Sequence, residues 1–183
     1  MKSGFISIVG RPNVGKSTLL NTLLERKIAI TSNVSGTTRN IIQGIYNDDD
    51  SQIVFIDTPG IHKPVNKLGT IMNNQAYHMI DEVDVILFLI DVTKPFGKGD
   101  QFVLDKIKDM DKPVLLILNK IDLIDKKELL AIMTKYSELY DFNEIIPISS
   151  IKNDNINDLI KTIKKYLPRQ GLLYDPEMVT NLS

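Results

Sequence analysis

The sequence is notable first for what it lacks. It contains no cysteine, which excludes a disulfide, a thiolate metal site and a cysteine nucleophile, and fits a reducing cytosol. The formal net charge of −1 argues against a general nucleic-acid-binding surface. No apolar run approaches the ~18 residues that would cross a bilayer, and the first residues lack a signal-peptide core. These absences predict a soluble, cytoplasmic protein.

The apolar residues indicate an α/β fold. They make up 43% of the 183 residues, enough for one domain with a sizeable core. Five short runs without clean alternation are typical of strands buried on both faces. These runs cover residues 5–9, 53–56, 85–90, 114–118 and 145–148. Segments with helical spacing separate them, which favours a doubly wound parallel sheet.

A hairpin is predicted at one edge of this sheet. Three consecutive aspartates, residues 48–50, separate strand-like segments at 41–46 and 53–56, as expected for a tight turn. The prediction is a three-layer α/β domain over residues 1–168, with a mostly parallel six-stranded sheet, one antiparallel edge strand and helices on both faces. Residues 169–183 lack periodicity and are interpreted as a linker.

Each major strand ends on a residue with functional chemistry. These residues are Gly10, Asp57, Asp91 and Asn119. Ligands of open α/β sheets bind beyond the carboxyl ends of the strands, so residues scattered along the chain should meet at one edge.

The segment G-R-P-N-V-G-K-S, residues 10–17, fits a phosphate-binding loop. Its glycines let the backbone approach phosphate, and the following helix directs its N-terminus at the anion. Lys16 would bridge the outer phosphates and Ser17 would hold Mg²⁺. The alternative is a chance match, which we estimate at roughly one per hundred chains of this length. The residues predicted to hold nucleotide here are Asn13, Val14, Gly15, Lys16, Ser17 and Thr18.

The segment N-K-I-D, residues 119–122, predicts a guanine site. Asp122 can accept hydrogen bonds from N1–H and the N2 amino group of guanine, whereas adenine would leave this carboxylate unpaired. Asn119 would join the purine's N7 side to the phosphate loop, and the Lys120 stem would cover one face of the base. The alternative is a strand end followed by a capping aspartate.

The segment Ser149-Ser150-Ile151 follows the last predicted strand. A backbone N–H there could reach guanine O6, and the Ser149 hydroxyl could orient Asp122. An ordinary turn is the alternative.

Two long polar segments hold the remaining candidates. Asp57 would reach Mg²⁺ through water, and the Gly60 N–H would meet the γ-phosphate, although D-T-P-G could also be a simple turn. Thr38, favoured over Thr37, would ligate Mg²⁺ only while the γ-phosphate is present. Lys16, Thr38 and Gly60 are the predicted catalytic groups.

Taken in order, these elements resemble the translation-factor-related GTPases, and more narrowly the Era family of bacterial ribosome-associated GTPases. The resemblance covers residues 4 to about 167. It rests on G-R-P-N-V-G-K-S-T-L-L-N from Gly10, T-T-R-N from Thr37, D-T-P-G-I-H-K-P from Asp57, and P-I-S from Pro147. Ser150 stands where the family usually has alanine.

The resemblance implies a Mg²⁺-dependent GTP-hydrolysing switch with GTP and GDP as ligands. In the full-length relatives a KH domain follows and binds 16S rRNA during small-subunit assembly, so residues 169–183 would lead toward such a domain. We expect no direct RNA binding from this chain alone. A monomer and a peripheral association with the inner face of the membrane are further expectations.

The sequence is unusual at the position that orients attacking water. Many small GTPases have glutamine after the D-x-x-G glycine, whereas this chain has Ile61, followed by His62, so hydrolysis by the domain alone should be slow. Related GTPases with asparagine at the position of Asn13 resemble potassium-activated enzymes, which implies that Asn13 holds K⁺ near the β–γ bridging oxygen. The alternative is that Asn13 only braces the phosphate loop.

Three other functions remain open from the sequence. An ATP-dependent phosphotransferase would need an adenine reader, against which N-K-I-D argues. A nucleotide-gated binding module with negligible turnover is kept open by Ile61. The GTPase domain of a tRNA-modifying or double-GTPase protein is disfavoured by I-H-K-P.

Overall fold

The computed structural model describes residues 1–25, 28–29, 42–57 and 83–174. Within these ranges the chain forms one seven-stranded sheet and four α-helices. The strands are β1 (Lys2–Val9), β2 (Ile28–Ala29), β3 (Ile42–Asn47), β4 (Ser51–Ile56), β5 (Val85–Asp91), β6 (Val114–Asn119) and β7 (Glu144–Pro147). The helices are α1 (Lys16–Leu24), α2 (Lys98–Lys108), α3 (Lys126–Leu139) and α4 (Ile156–Tyr166), with a 3₁₀ turn at Ile121–Leu123.

The sheet confirms the predicted architecture. Its strand order is β2-β3-β4-β1-β5-β6-β7, and β4, β1, β5, β6 and β7 run parallel. Strand β3 is antiparallel to β4, and the turn between them is closed by the Asp48 N–H donating to the Ser51 carbonyl over 3.0 Å. The six predicted strands are present. Beyond β3 the two-residue strand β2 pairs antiparallel with β3, which adds a second antiparallel pair at this edge.

The core lies on both faces of the sheet, as near-continuous apolar strands require. Helices α1 and α4 pack on one face and α2 and α3 on the other. Strands β5 and β6 are buried along their whole length. Helix α3 begins where the Asp125 carboxylate accepts a hydrogen bond from the Glu128 N–H, an N-cap that satisfies one otherwise unpaired donor.

The segment after α4 returns across the amino ends of β1 and β4. Ser3, on β1, donates its hydroxyl to the Gly171 carbonyl over 2.8 Å. Gln52, on β4 and fully buried, donates to the Tyr174 carbonyl and accepts from the Leu173 and Tyr174 N–H groups. The segment expected to be a linker therefore begins with residues attached to the sheet, and the domain boundary at residue 168 stays a prediction.

The described residues include no helix that is both long enough and apolar enough to cross a bilayer. They also include no group of three or more metal-ligating side chains placed to hold an ion.

Candidate functional site

The phosphate loop joins β1 to α1 and depends on two left-handed residues. Gly15, at the N-cap of α1, has φ 101°, and Asn13 has φ 67°. A Cβ on Gly15 would lie 2.5 Å from the Asn119 amide nitrogen, so only glycine fits the space as well as the backbone angle. A Cβ on Gly10 would lie 2.6 Å from the Leu89 carbonyl oxygen. The two glycines that define the motif are thus required by contacts with β5 and β6.

Lys16 begins α1 and turns back over the loop. Its ammonium donates to the carbonyls of Gly10, at 2.7 Å, and of Arg11, at 3.3 Å. Burial lowers the pKa of Lys16 from its ordinary value, and the Asp57 carboxylate opposes this effect in part. In the described part of the chain no carboxylate pairs directly with Lys16. A half-buried cation of this kind is suited to receive an anion, because the ligand's charge replaces the water that the lysine has lost.

Replacing Lys16 by methionine is expected to stabilise the ligand-free protein while weakening nucleotide binding. Burial in the folded state disfavours the charged form of Lys16, so this cost to stability is fully present at neutral pH, where the side chain is charged. Stability therefore rises as pH increases through the lowered folded pKa toward 10.5, the ordinary value. In thermal unfolding measured between pH 7 and pH 10.5, Lys16→Met should have a higher Tm than the unaltered chain at pH 7. The difference in Tm between the two proteins should be smaller at alkaline pH. An unchanged or lower Tm at pH 7 would contradict this account.

Asn119 connects three segments of the site. It ends β6 and is buried, and its amide nitrogen donates to the Val14 carbonyl of the phosphate loop over 3.1 Å. Its amide oxygen accepts from the Ser150 N–H at 3.1 Å and from the Ser150 hydroxyl at 3.0 Å. The predicted link to the phosphate loop is therefore present. Ser150, where the resembled family usually has alanine, adds a hydroxyl bond to the backbone one.

Asp122 is held by Ser149, as the sequence predicted. The Ser149 hydroxyl donates to one Asp122 carboxylate oxygen over 2.8 Å, and Ser149 also accepts from the Lys152 N–H at 3.1 Å. Asp122 lies in the exposed 3₁₀ turn after β6, and the adjoining Ile151 is 72% exposed. A carboxylate fixed in orientation yet open to the surface can accept two parallel donors from a planar ligand.

Lys120 has a partner that the sequence did not predict. It adopts a left-handed conformation, φ 71°, and its ammonium contacts the Asp91 carboxylate at 2.9 Å and the Asn13 carbonyl at 3.5 Å. Burial alone would raise the pKa of Asp91, but hydrogen bonds from Lys120 and Thr93 hold it below its ordinary value. The ion pair fixes the position of the Lys120 stem. In the sequence, the position of Asp91 at the end of a predicted strand indicated that this residue belongs to the site.

The remaining predicted residues divide into two groups. Ser17 and Thr18 lie in the first turn of α1, and Asp57 directly follows β4 at the same sheet edge. Thr38 and Gly60, like Thr37, Ile61 and His62, lie outside the described residues. The described part of the site therefore contains the phosphate loop, the carboxylate at position 57 and the N-K-I-D and Ser149–Ile151 segments.

Comparison with known proteins identifies relatives of this chain. Residues 5–120 match the family model described as 50S ribosome-binding GTPase. The chain is 47% identical over 181 residues to GTPase Era of Clostridium kluyveri, covering 99% of this chain and 62% of that protein. It thus spans less than two thirds of that relative.

Solved structures give the same result. Era of Aquifex aeolicus bound to GDP and AlF4⁻ is 43% identical, with a TM-score of 0.78, over 98% of this chain and 62% of its own. An Era complex with MgGDPNP and nucleotides 1506–1542 of 16S ribosomal RNA is also 43% identical, with a TM-score of 0.79, over 98% of this chain and 61% of its own.

Proposed function

This chain belongs to the ribosome-binding GTPase family and corresponds to the GTPase domain of an Era protein, and we propose that it binds GTP and GDP and hydrolyses GTP with Mg²⁺. The observation that carries the proposal is the orientation of Asp122 by Ser149, beside a phosphate loop joined to the same segment through Asn119. One ligand that spans both elements has a guanine base at one end and phosphates at the other.

The residues present fit a magnesium ion at the phosphate end. Mg²⁺ prefers oxygen ligands and is usually held by one or two protein groups, with water and substrate phosphates completing its shell. The Ser17 hydroxyl at the start of α1 and the Asp57 carboxylate after β4 are such donors, with Thr38 a third from the sequence. When bound, the ion would neutralise charge that develops on the phosphates.

The switch follows from the same groups. Thr38 and Gly60 would contact Mg²⁺ and the γ-phosphate only in the GTP state, so hydrolysis would release both segments. Lys16 would exchange its carbonyl partners, Gly10 and Arg11, for the β- and γ-phosphates on binding. Hydrolysis by the domain alone is expected to be slow, because Ile61 cannot orient water.

A competition experiment tests the proposal. Fluorescent GDP bound to the chain should be displaced by GTP and GDP and not by ATP at the same concentration. A single-turnover assay with GTP in molar deficit should then release phosphate. Displacement by ATP as effective as by GTP would overturn the guanine assignment, and binding without phosphate release would favour a nucleotide-gated module.

We also propose that Asn13 takes part in K⁺ activation of hydrolysis. The left-handed backbone of Asn13 makes glycine the better substitution for a test. Alanine there would add backbone strain, whereas glycine removes only the side chain. Hydrolysis should be faster in KCl than in NaCl for the unaltered chain and equal in both salts for Asn13→Gly. Equal rates in the two salts for the unaltered chain would exclude activation by K⁺. A difference between the salts that persists in Asn13→Gly would exclude a role of the Asn13 side chain in that activation.

The role of the whole protein is a further part of the proposal. The chain spans 62% of GTPase Era of Clostridium kluyveri, and one Era relative was solved in complex with part of 16S rRNA, so the longer protein would act in small-subunit assembly. A cytoplasmic monomer with peripheral membrane association is proposed by family resemblance. Size-exclusion chromatography and cell fractionation of the longer protein test these expectations.

A further inference from the structure

A basic cleft lies at the sheet edge opposite the nucleotide site. It is concave, with a volume of about 530 Å³, and its charged lining includes Lys2, Asp50, Lys161, Lys164, Lys165 and Arg169. The amino ends of β1 and β4 and the second half of α4 form its walls. We refer to this site as the basic cleft.

The charges of the cleft are held in place by the fold. The Lys2 ammonium donates to the Lys164 carbonyl over 3.1 Å, and Lys164 itself pairs with Asp48 and Asp50. Arg169 is placed by an antiparallel bridge to Lys2, and the neighbouring Pro168 carbonyl accepts from the Ser3 N–H at 3.1 Å. The backbone positions of these cations are therefore set by β1, by α4 and by the bridge at Arg169.

Several of these cations lack compensation. Within the described ranges, the side chains of Lys161 and Arg169 have no hydrogen-bonding or ionic partner, and Lys165 reaches Glu144 only at 3.9 Å. Asp48 and Asp50 are already engaged by Lys164, which leaves Asp49 as the remaining carboxylate of the lining. The concave site consequently has an excess of positive charge that the described residues do not neutralise.

We propose that the basic cleft binds the phosphate backbone of RNA. The choice of RNA as the polyanion rests on the proposed function. Closely placed cations gain affinity for a polyanion by releasing its condensed counterions, which needs no sequence reading. The overall charge of −1 led us to expect no RNA contact from this chain, but binding depends on local charge in the cleft. RNA is chosen over an anionic bilayer because the proposed function gives the longer protein an RNA partner, and binding to anionic vesicles alone would contradict this choice.

Fluorescence anisotropy of a labelled 16-nucleotide single-stranded RNA tests this proposal, using the whole 183-residue chain at 25–200 mM KCl. The key variant combines Lys161→Gln, Lys165→Gln and Arg169→Gln. Each lost phosphate contact should reduce the slope of log K against log salt by about 0.7, so three should reduce it by about 2. Affinity at low salt should fall roughly tenfold or more.

A matched variant controls for net charge. Lys126→Gln, Lys127→Gln and Lys135→Gln on α3 remove the same charge from exposed positions away from the cleft and should leave RNA affinity unchanged. Equal loss in both triple variants, no RNA binding by the unaltered chain, or binding only to phosphatidylglycerol vesicles would each overturn the proposal. Fluorescent GDP binding, measured on the same samples, confirms folding and separates failure here from failure of the proposed function.

Discussion

Asp122→Asn is expected to weaken GTP binding by about 10³-fold or more and to admit xanthosine triphosphate in its place. The carboxylate would accept from both N1–H and the N2 amino group of guanine, whereas an amide offers one acceptor and places a donor beside another donor. Xanthine carries an oxygen at C2 and can accept from that amide. Displacement of fluorescent GDP by GTP and by xanthosine triphosphate measures both effects.

Ser149→Ala separates orientation from recognition in the same experiment. It removes the 2.8 Å hydrogen bond that holds Asp122 but leaves the carboxylate itself. Since a hydrogen bond to a charged group contributes about 1.5 kcal/mol, GTP affinity should fall about tenfold, with no gain for xanthosine triphosphate. Full GTP affinity in Asp122→Asn would show that guanine is recognised elsewhere.

Gly15→Ala is expected to reduce the affinity for GTP and GDP together by about 100-fold and to lower stability. A left-handed backbone costs an alanine about 1–2 kcal/mol, and the new Cβ would lie 2.5 Å from the Asn119 amide nitrogen. The loop and the guanine segment must then separate, so the phosphate and base ends of the ligand lose their alignment. At roughly 2–4 °C per kcal/mol for a domain of this size, the Tm should fall by several degrees.

Gly171→Ala is the matched control for this change. A Cβ on Gly171 would have no atom within 4 Å, so neither binding nor Tm should change. Calorimetric titration with GDP and thermal unfolding of both variants give the comparison. Normal GDP affinity in Gly15→Ala would show that the close approach to Asn119 has no role in binding.

The sequence was sufficient for features that depend on local rules. Strand β6 was predicted at residues 114–118 and is observed at Val114–Asn119. The prediction was possible because a short run of branched apolar residues bounded by polar ones is typical of a buried strand. The proximity of the phosphate loop to the end of β6 could likewise be predicted from the sequence, since the carboxyl ends of parallel strands lie at the same edge of the sheet.

Features that depend on register could not be predicted in this way. The pairing of Lys120 with Asp91, 29 positions apart in the sequence, requires Asp91 to stand beside Asn119 across β5 and β6. The residues between the two strands do not encode this register locally. Strand β2 is too short to have a periodic signal. The attachment of Leu173 and Tyr174 depends on one buried glutamine, and hydrogen bonds of that kind leave no hydrophobic pattern in the sequence.

The contacts of Gln52 with Leu173 and Tyr174 also determine where a reporter or support can be joined to this protein. The described chain ends beside the amino end of β4, on the side of the sheet opposite the proposed nucleotide site, so a dye, bead or sensor surface linked beyond Tyr174 starts from a side that the nucleotide does not use. A probe near Ile151 would, by contrast, stand beside the proposed guanine site.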